Sequence, residues 1–220
     1  MPKRALIEHR PWLLASVIAA LAFYFLRDNP IGGIQLMLLK GAGVALLAVY
    51  ALRRGSGSDD RLLATYLAFG ALGDMLIEIE TLYGGAAFFA GHIAAIAMFL
   101  RNPRAEPTGS QKGAGVALLL LTPVLCWLLS GSLQVGLYGV ALGGMAAAAW
   151  LSRFPRYRVG TGAVLFVISD LLIFSEMGPV DLSPIPGLLI WPLYYLGQFM
   201  IATGVVQTLL ADRLESAWQH

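Results

Sequence analysis

Apolar stretches long enough to cross a bilayer recur from one end of this chain to the other, and they constrain its fold more than any other feature. A hydrocarbon core of about 30 Å takes roughly 20 helical residues at 1.5 Å rise each. Such stretches lie at roughly 11 to 27, 31 to 52, 61 to 80, 83 to 100, 113 to 130, 133 to 152, 159 to 177 and 187 to 211. Turn and breaker residues separate them: Asn29-Pro30, Gly55-Ser56-Gly57-Ser58, Gly84-Gly85, Pro103 to Gly109, Gly131, Pro155, and Pro179 to Pro186. These connections are too short to hide a further domain. The expectation is an all-α membrane protein of eight transmembrane helices in a single bundle, one transmembrane domain over residues 1–220. Composition agrees, because 13% charged residues is about half the share of an ordinary soluble domain.

Charge asymmetry orients the bundle. Lys3, Arg4 and Arg10 precede the first span; Arg53, Arg54 and Arg61 fill the second loop; Arg101, Arg104 and Lys112 the fourth; Arg153, Arg156 and Arg158 the sixth; and Arg213 the tail. That places 13 of the 15 basic residues on one face, with Arg27 alone in the opposite loops and Lys40 inside a span. By the positive-inside rule both termini are expected in the cytoplasm, the protein being an integral multi-pass one of a bacterial inner (plasma) membrane. The first stretch ends at Phe25-Leu26-Arg27-Asp28 without a small-residue cleavage site, so it reads as a retained helix rather than a signal peptide. A net charge of +2 spread over short loops offers no nucleic-acid surface. Gly73-Asp74-Met75-Leu76-Ile77 resembles Ser169-Asp170-Leu171-Leu172-Ile173, as two four-helix halves related by an axis along the membrane normal would require.

Polar residues inside spans mark the site, since charges there are costly and face the bundle interior. Asp74 comes about 13 residues after Arg61 and Asp170 about 12 after Arg158, which puts both roughly 18 to 20 Å from the cytoplasmic edge. Lys40 and His92, each about nine residues into helices of opposite direction, lie roughly 13 Å below the outer edge. All four then share one layer slightly outside the midplane, with Tyr194, Tyr195 and Gln198 in or near it and Tyr138 a little above. One layer implies one cavity. Asp74 and Glu78 are stacked four residues apart with Gly70 beneath, and Gly162, Phe166, Ser169 and Asp170 form a stripe on the seventh helix.

Each residue also has a plainer role open to it. A buried aspartate can simply tie helices together; Glu78 and Glu80 can be a solvated rim or a support. Lys40 can snorkel, although its distance from both surfaces favours a counter-ion to an aspartate or to a lipid phosphate. His92, Tyr138, Tyr194, Tyr195 and Gln198 divide between pocket and packing, and Pro123 marks a kink. With His9, His92 and His220 as the histidines, two of them terminal, no His-rich zinc site can form. A Mg2+ site on Asp74, Glu78 and Asp170 is the weaker reading, so no metal and no cofactor are expected. No P-loop, dinucleotide fingerprint or G-x-S-x-G elbow is present.

Gly73-Asp74, Phe88, Gly91-His92, Gly162-Ala163 to Phe166, Ser169-Asp170, and Tyr194-Tyr195 with Gln198 together resemble the YhhN (lysoplasmalogenase-like) membrane family. Lys40, Tyr138 and Met145 fit as well, and the resemblance runs from the second helix onward. It implies hydrolysis of the vinyl ether bond of lysoplasmalogens, releasing a fatty aldehyde and glycerophospho-ethanolamine or -choline, with the family's paired aspartates falling on Asp74 and Asp170. The substrate would be a lysophospholipid drawn from the bilayer. The chemistry suits two carboxylates. Protonation of carbon 2 of the alkenyl chain makes an oxocarbenium ion at carbon 1 that water traps, so one group must hold a proton and another must be anionic. Which aspartate is the acid stays open; Asp170 as acid and Asp74 as base, oriented by His92 and Glu78, is the preferred assignment. Lys40 would hold the phosphate, and Tyr194, Tyr195 and Gln198 would bind glycerol hydroxyls or water. A midplane layer of Asp, Lys and His also suits a small transporter or proton-coupled carrier, and a lipid-binding protein without turnover is a further alternative. Headgroup preference and oligomeric state are not legible.

Overall fold

The structure, a computed structural model, describes residues 10–29 and 33–218. Lys3, Arg4, His9, Pro30, the first two residues of the second expected span and His220 lie outside the described residues, as does the Arg10 side chain. Eight α-helices follow one another among the described residues: α1 Arg10–Leu26, α2 Gly33–Arg54, α3 Ser58–Leu76, α4 Thr81–Arg101, α5 Gly109–Ser130, α6 Leu133–Leu151, α7 Thr161–Met177 and α8 Ile185–Trp218. A π turn over Arg156–Gly160 leads into α7. No strand occurs among these residues; Pro103 and Ser152 form an isolated antiparallel bridge.

Six of the eight helices are long and apolar enough to cross a membrane. The other two are α1, apolar but 17 residues long, and α3, which carries Asp59, Asp60, Arg61 and Asp74. Leu14, Ile18, Leu120 and Leu128 are exposed, while Asp74, His92, Asp170 and Gln198 are buried. Apolar outside and polar inside is the arrangement a hydrocarbon solvent demands. The chain is an all-α, multi-pass membrane protein.

Helix ends depart from the expected spans where capping decides them. At the start of α5, the Thr108 hydroxyl accepts from the Gln111 amide at 3.3 Å and the Gln111 side chain accepts from the Thr108 amide at 3.0 Å. This reciprocal cap starts the helix at Gly109 instead of 113. The helix ends at Gly131, whose φ of 68° is the left-handed conformation that glycine adopts without penalty. In α3 the regular helix stops at Leu76 and not at 80, and a tight turn feeds α4 at Thr81. The last helix runs seven residues past 211, because Arg213 donates to Asp60 Oδ2 at 2.6 Å and to the Arg54 carbonyl at 3.0 Å. Asp60 also accepts the Gly57 amide at 3.0 Å, so one buried carboxylate fastens the α2–α3 loop to the end of α8.

The chain divides into two compact units, Met1–Ala94 with Val205–His220, and Ala95–Gly204. In the first, α3 and α4 form an antiparallel hairpin whose register is set by small residues. A Cβ on Gly84 would sit 2.7 Å from Ile77, one on Gly73 2.8 Å from the Phe88 ring, and one on Gly91 3.2 Å from Phe69. Close approach of backbones is what glycine contributes between membrane helices. In the second unit, a Cβ on Gly197 would lie 2.6 Å from the Gly162 carbonyl oxygen and one on Gly139 2.7 Å from Pro123 Cα. These contacts fix α7 against α8 and α5 against α6.

Candidate functional site

In the first unit, Lys40 leaves α2 at the level of Asp74, since a Cβ on the neighbouring Gly41 would touch Met75 at 2.6 Å and the Ala71 carbonyl at 3.1 Å. Its side chain climbs to the turn after α3, where Nζ meets Glu78 Oε1 at 2.5 Å. The same ammonium lies 5.6 Å from the centre of the Phe23 ring. Asp74 is buried one helical turn before Glu78. Glu78, expected to support Asp74, is engaged at Oε1 by Lys40, across the turn that ends α3 at Leu76.

His92 is fully buried on α4. In the hairpin register, where Ile77 faces Gly84 and Phe88 faces Gly73, His92 stands level with Phe69 and Gly70, about 7 Å along the helix axis from Asp74. The expected common layer does not hold for this pair. The cause is the early end of α3, which starts α4 two residues sooner and carries His92 deeper along it.

In the second unit, the Tyr138 hydroxyl of α6 donates to Asp170 Oδ2 of α7 at 2.7 Å, and its ring packs edge-on against Phe174 with centroids 5.7 Å apart. Ser169, beside Asp170, donates to the Ile190 carbonyl of α8 at 2.9 Å. Two adjacent residues thus tie α7 to α6 on one side and to α8 on the other. Tyr194 packs edge-on to Phe166 at 5.1 Å and its hydroxyl accepts from the Gln198 amide at 3.3 Å. Tyr195 stacks on Trp191 at 6.1 Å. Because Ser169 faces Ile190 and Gly162 faces Gly197, Tyr194 lies about one and a half turns and Gln198 about two and a half turns from the level of Asp170. Gln198 was expected in or near the aspartate layer, and the register moves it roughly 13 Å away. Buried Trp191, three residues before Tyr194 on the same helix face, joins this aromatic group and was overlooked in the sequence, although the spacing was visible there.

Among the described residues no group of three or more His, Cys, Asp and Glu side chains is arranged to hold a metal ion.

A sequence model of the YhhN family matches residues 35–205, which takes in Lys40, Asp74, Glu78, His92, Tyr138, Ser169, Asp170, Tyr194, Tyr195 and Gln198. The chain belongs to the YhhN family. Two proteins named lysoplasmalogenase, from Mycobacterium bovis (strain ATCC BAA-935 / AF2122/97) and Mycobacterium tuberculosis (strain CDC 1551 / Oshkosh), are each 31% identical to it over 147 residues. The match covers 61% of this chain and 56% of each relative, so the chain spans about half the length of these relatives. No solved structure matches it.

Proposed function

We propose that this YhhN protein is a lysoplasmalogenase, a hydrolase of the vinyl ether bond in alkenyl-glycerophosphoethanolamine or -choline. The observation that carries the reading is Asp170, a buried carboxyl inside a membrane helix, held at Oδ2 by the Tyr138 hydroxyl. When Asp170 is protonated, the Tyr138 bond at Oδ2 leaves Oδ1 to carry the proton. Asp170 then acts as the acid and protonates carbon 2 of the alkenyl chain. Asp74 is the anionic partner; it stabilises the cation at carbon 1 and removes a proton from the attacking water. Pairing of the two rests on the depth at which the sequence places them. The hemiacetal formed at carbon 1 breaks its bond to the glycerol oxygen, giving aldehyde and a glycerol hydroxyl with one water consumed. Support for the substrate comes from family membership and from the two mycobacterial relatives named lysoplasmalogenase. The distribution of basic residues supports a cytoplasmic location for both termini.

Turnover in heavy water tests this. One deuterium is expected on carbon 2 of the aldehyde, trapped by rapid reduction before enol exchange, with the aldehyde oxygen from water and the ether oxygen retained by glycerol. Aldehyde without deuterium, or glycerol carrying water oxygen, would refute protonation at carbon.

A further inference from the structure

In the second unit, the connection between α6 and α7 gathers arginines that meet no acid. Pro103 and Ser152 bridge the α4–α5 loop to it, and the Arg104 amide donates to the Leu151 carbonyl at 3.0 Å. The Arg104 guanidinium reaches along the connection to donate to the Phe154 carbonyl at 3.1 Å. Two residues further on, the Arg156 guanidinium stands 5.6 Å from the centre of the Trp150 indole and 4.6 Å from that of the Tyr157 ring. It donates to the Tyr157 hydroxyl at 2.7 Å. The π turn that opens α7 seats Arg156 on the indole, since a Cβ on Gly160 would lie 2.9 Å from Trp150 and 3.4 Å from Arg156.

Arg104, Trp150 and Arg156 are half-buried. The Nε of each arginine and the Nε1 of the indole are buried and find no acceptor among the described residues. Glu106, the acid of the α4–α5 loop, pairs with neither arginine. Buried donors are normally satisfied and buried charges normally paired. Donors in excess beside two guanidiniums, at the end of membrane helices, are complementary to an anion from outside the chain.

We propose that Arg104, Trp150 and Arg156 bind the phosphate of an anionic phospholipid in the leaflet that the basic face of the protein touches. The planar guanidinium matches phosphate oxygens with paired N–H groups, and an indole N–H belongs at headgroup level. A zwitterionic headgroup would bring an ammonium to a place where no carboxylate receives it, so the net charge of the lipid decides affinity. The site contains neither aspartate of the proposed chemistry and stands or falls apart from it.

The test uses the full-length protein purified in a nonionic detergent. It is titrated with dioleoyl phosphatidylglycerol, dioleoyl phosphatidylcholine or inorganic phosphate, and bound molecules are counted by native mass spectrometry. Phosphatidylglycerol is expected to stay bound at about a tenth of the concentration that phosphatidylcholine needs, the scale of one charge-assisted contact. Inorganic phosphate at the same concentration should not displace it; displacement would make this a site for a free anion and overturn the lipid assignment. Arg104→Gln and Arg156→Gln should each raise the half-saturating phosphatidylglycerol concentration about tenfold. Lys112→Gln removes a charge from the same face outside the site and should change nothing. An equal loss there would reduce the effect to diffuse attraction by the basic face and overturn the inference. Trp150→Phe keeps a ring beside Arg156 and deletes the N–H, so it carries the test if an arginine variant does not fold, with an expected loss of about threefold. Unchanged affinity in the site variants, or equal binding of the two lipids by wild type, overturns the inference outright.

Discussion

Tyr138→Phe removes one oxygen and little else. The phenol donates to Asp170 Oδ2 at 2.7 Å, whereas the ring contact with Phe174, centroids 5.7 Å apart, survives the change. A hydrogen bond to a buried polar partner contributes about 1–2 kcal/mol, and losing it frees the carboxyl to rotate away from the geometry that aims Oδ1 at carbon. If about 1.4 kcal/mol of this is expressed in the transition state, kcat falls about tenfold while KM changes little. The stability cost, about 1 kcal/mol, lowers the thermal midpoint by about 2–4 °C for a chain of this size. Aldehyde release from alkenyl-glycerophosphoethanolamine at saturating lipid measures the first, and a melting curve in the same detergent the second. An Asp170→Ala background supplies the control, since removing the hydroxyl there should cost almost no further stability. A kcat within about twofold of wild type, or a loss confined to KM, would refute the role given to Tyr138.

Asp74→Asn and Asp170→Asn should each lower kcat by about 10²–10⁴-fold while leaving a folded protein, because the amides preserve shape but neither donate nor accept the required proton. Near-normal aldehyde release by either would remove the paired-carboxylate chemistry. Gly197→Ala should destabilise by about 1–3 kcal/mol, since its Cβ would lie 2.6 Å from the backbone oxygen of Gly162, and an unchanged melting curve would contradict the close packing of α7 on α8. A reporter fused to the C-terminus should be active on the cytoplasmic side, given that 13 of 15 basic residues fall on one face. Activity on the outer side alone would invert the topology.

The helices were legible because apolar length is a local property. Each of the eight expected stretches coincides with a helix among the described residues, and the errors sit at ends decided by single side chains. Thr108 and Gln111 lengthen α5, and Arg213, bonded to Asp60 and Arg54, lengthens α8. The Thr108 cap could have been read from its spacing to Gln111. The Arg213 bond joins residues 153 positions apart, and no local pattern announces it.

Register between helices was harder to read, and the candidate site depends on it. Counting residues from each membrane edge treats every helix as starting at the same height, so a loop that enters one turn early shifts every residue after it. His92 and Gln198 were misplaced in this way, one by the short α3–α4 turn and the other by the approach of α8 to α7 at Ser169 and Gly162. The glycines carried the missing information. Gly73, Gly84 and Gly91 in one hairpin, and Gly162 with Gly197 in the other, mark where backbones touch, and matching them across neighbouring helices sets the register that edge counting cannot. Lys40 came out level with Asp74 because Gly41 seats α2 on Ala71 and Met75 of α3. Its partner was misjudged for a different reason. Depth locates the Cα, whereas a lysine chooses among acids up to a turn away, and Glu78 in the turn beyond α3 lies within that reach.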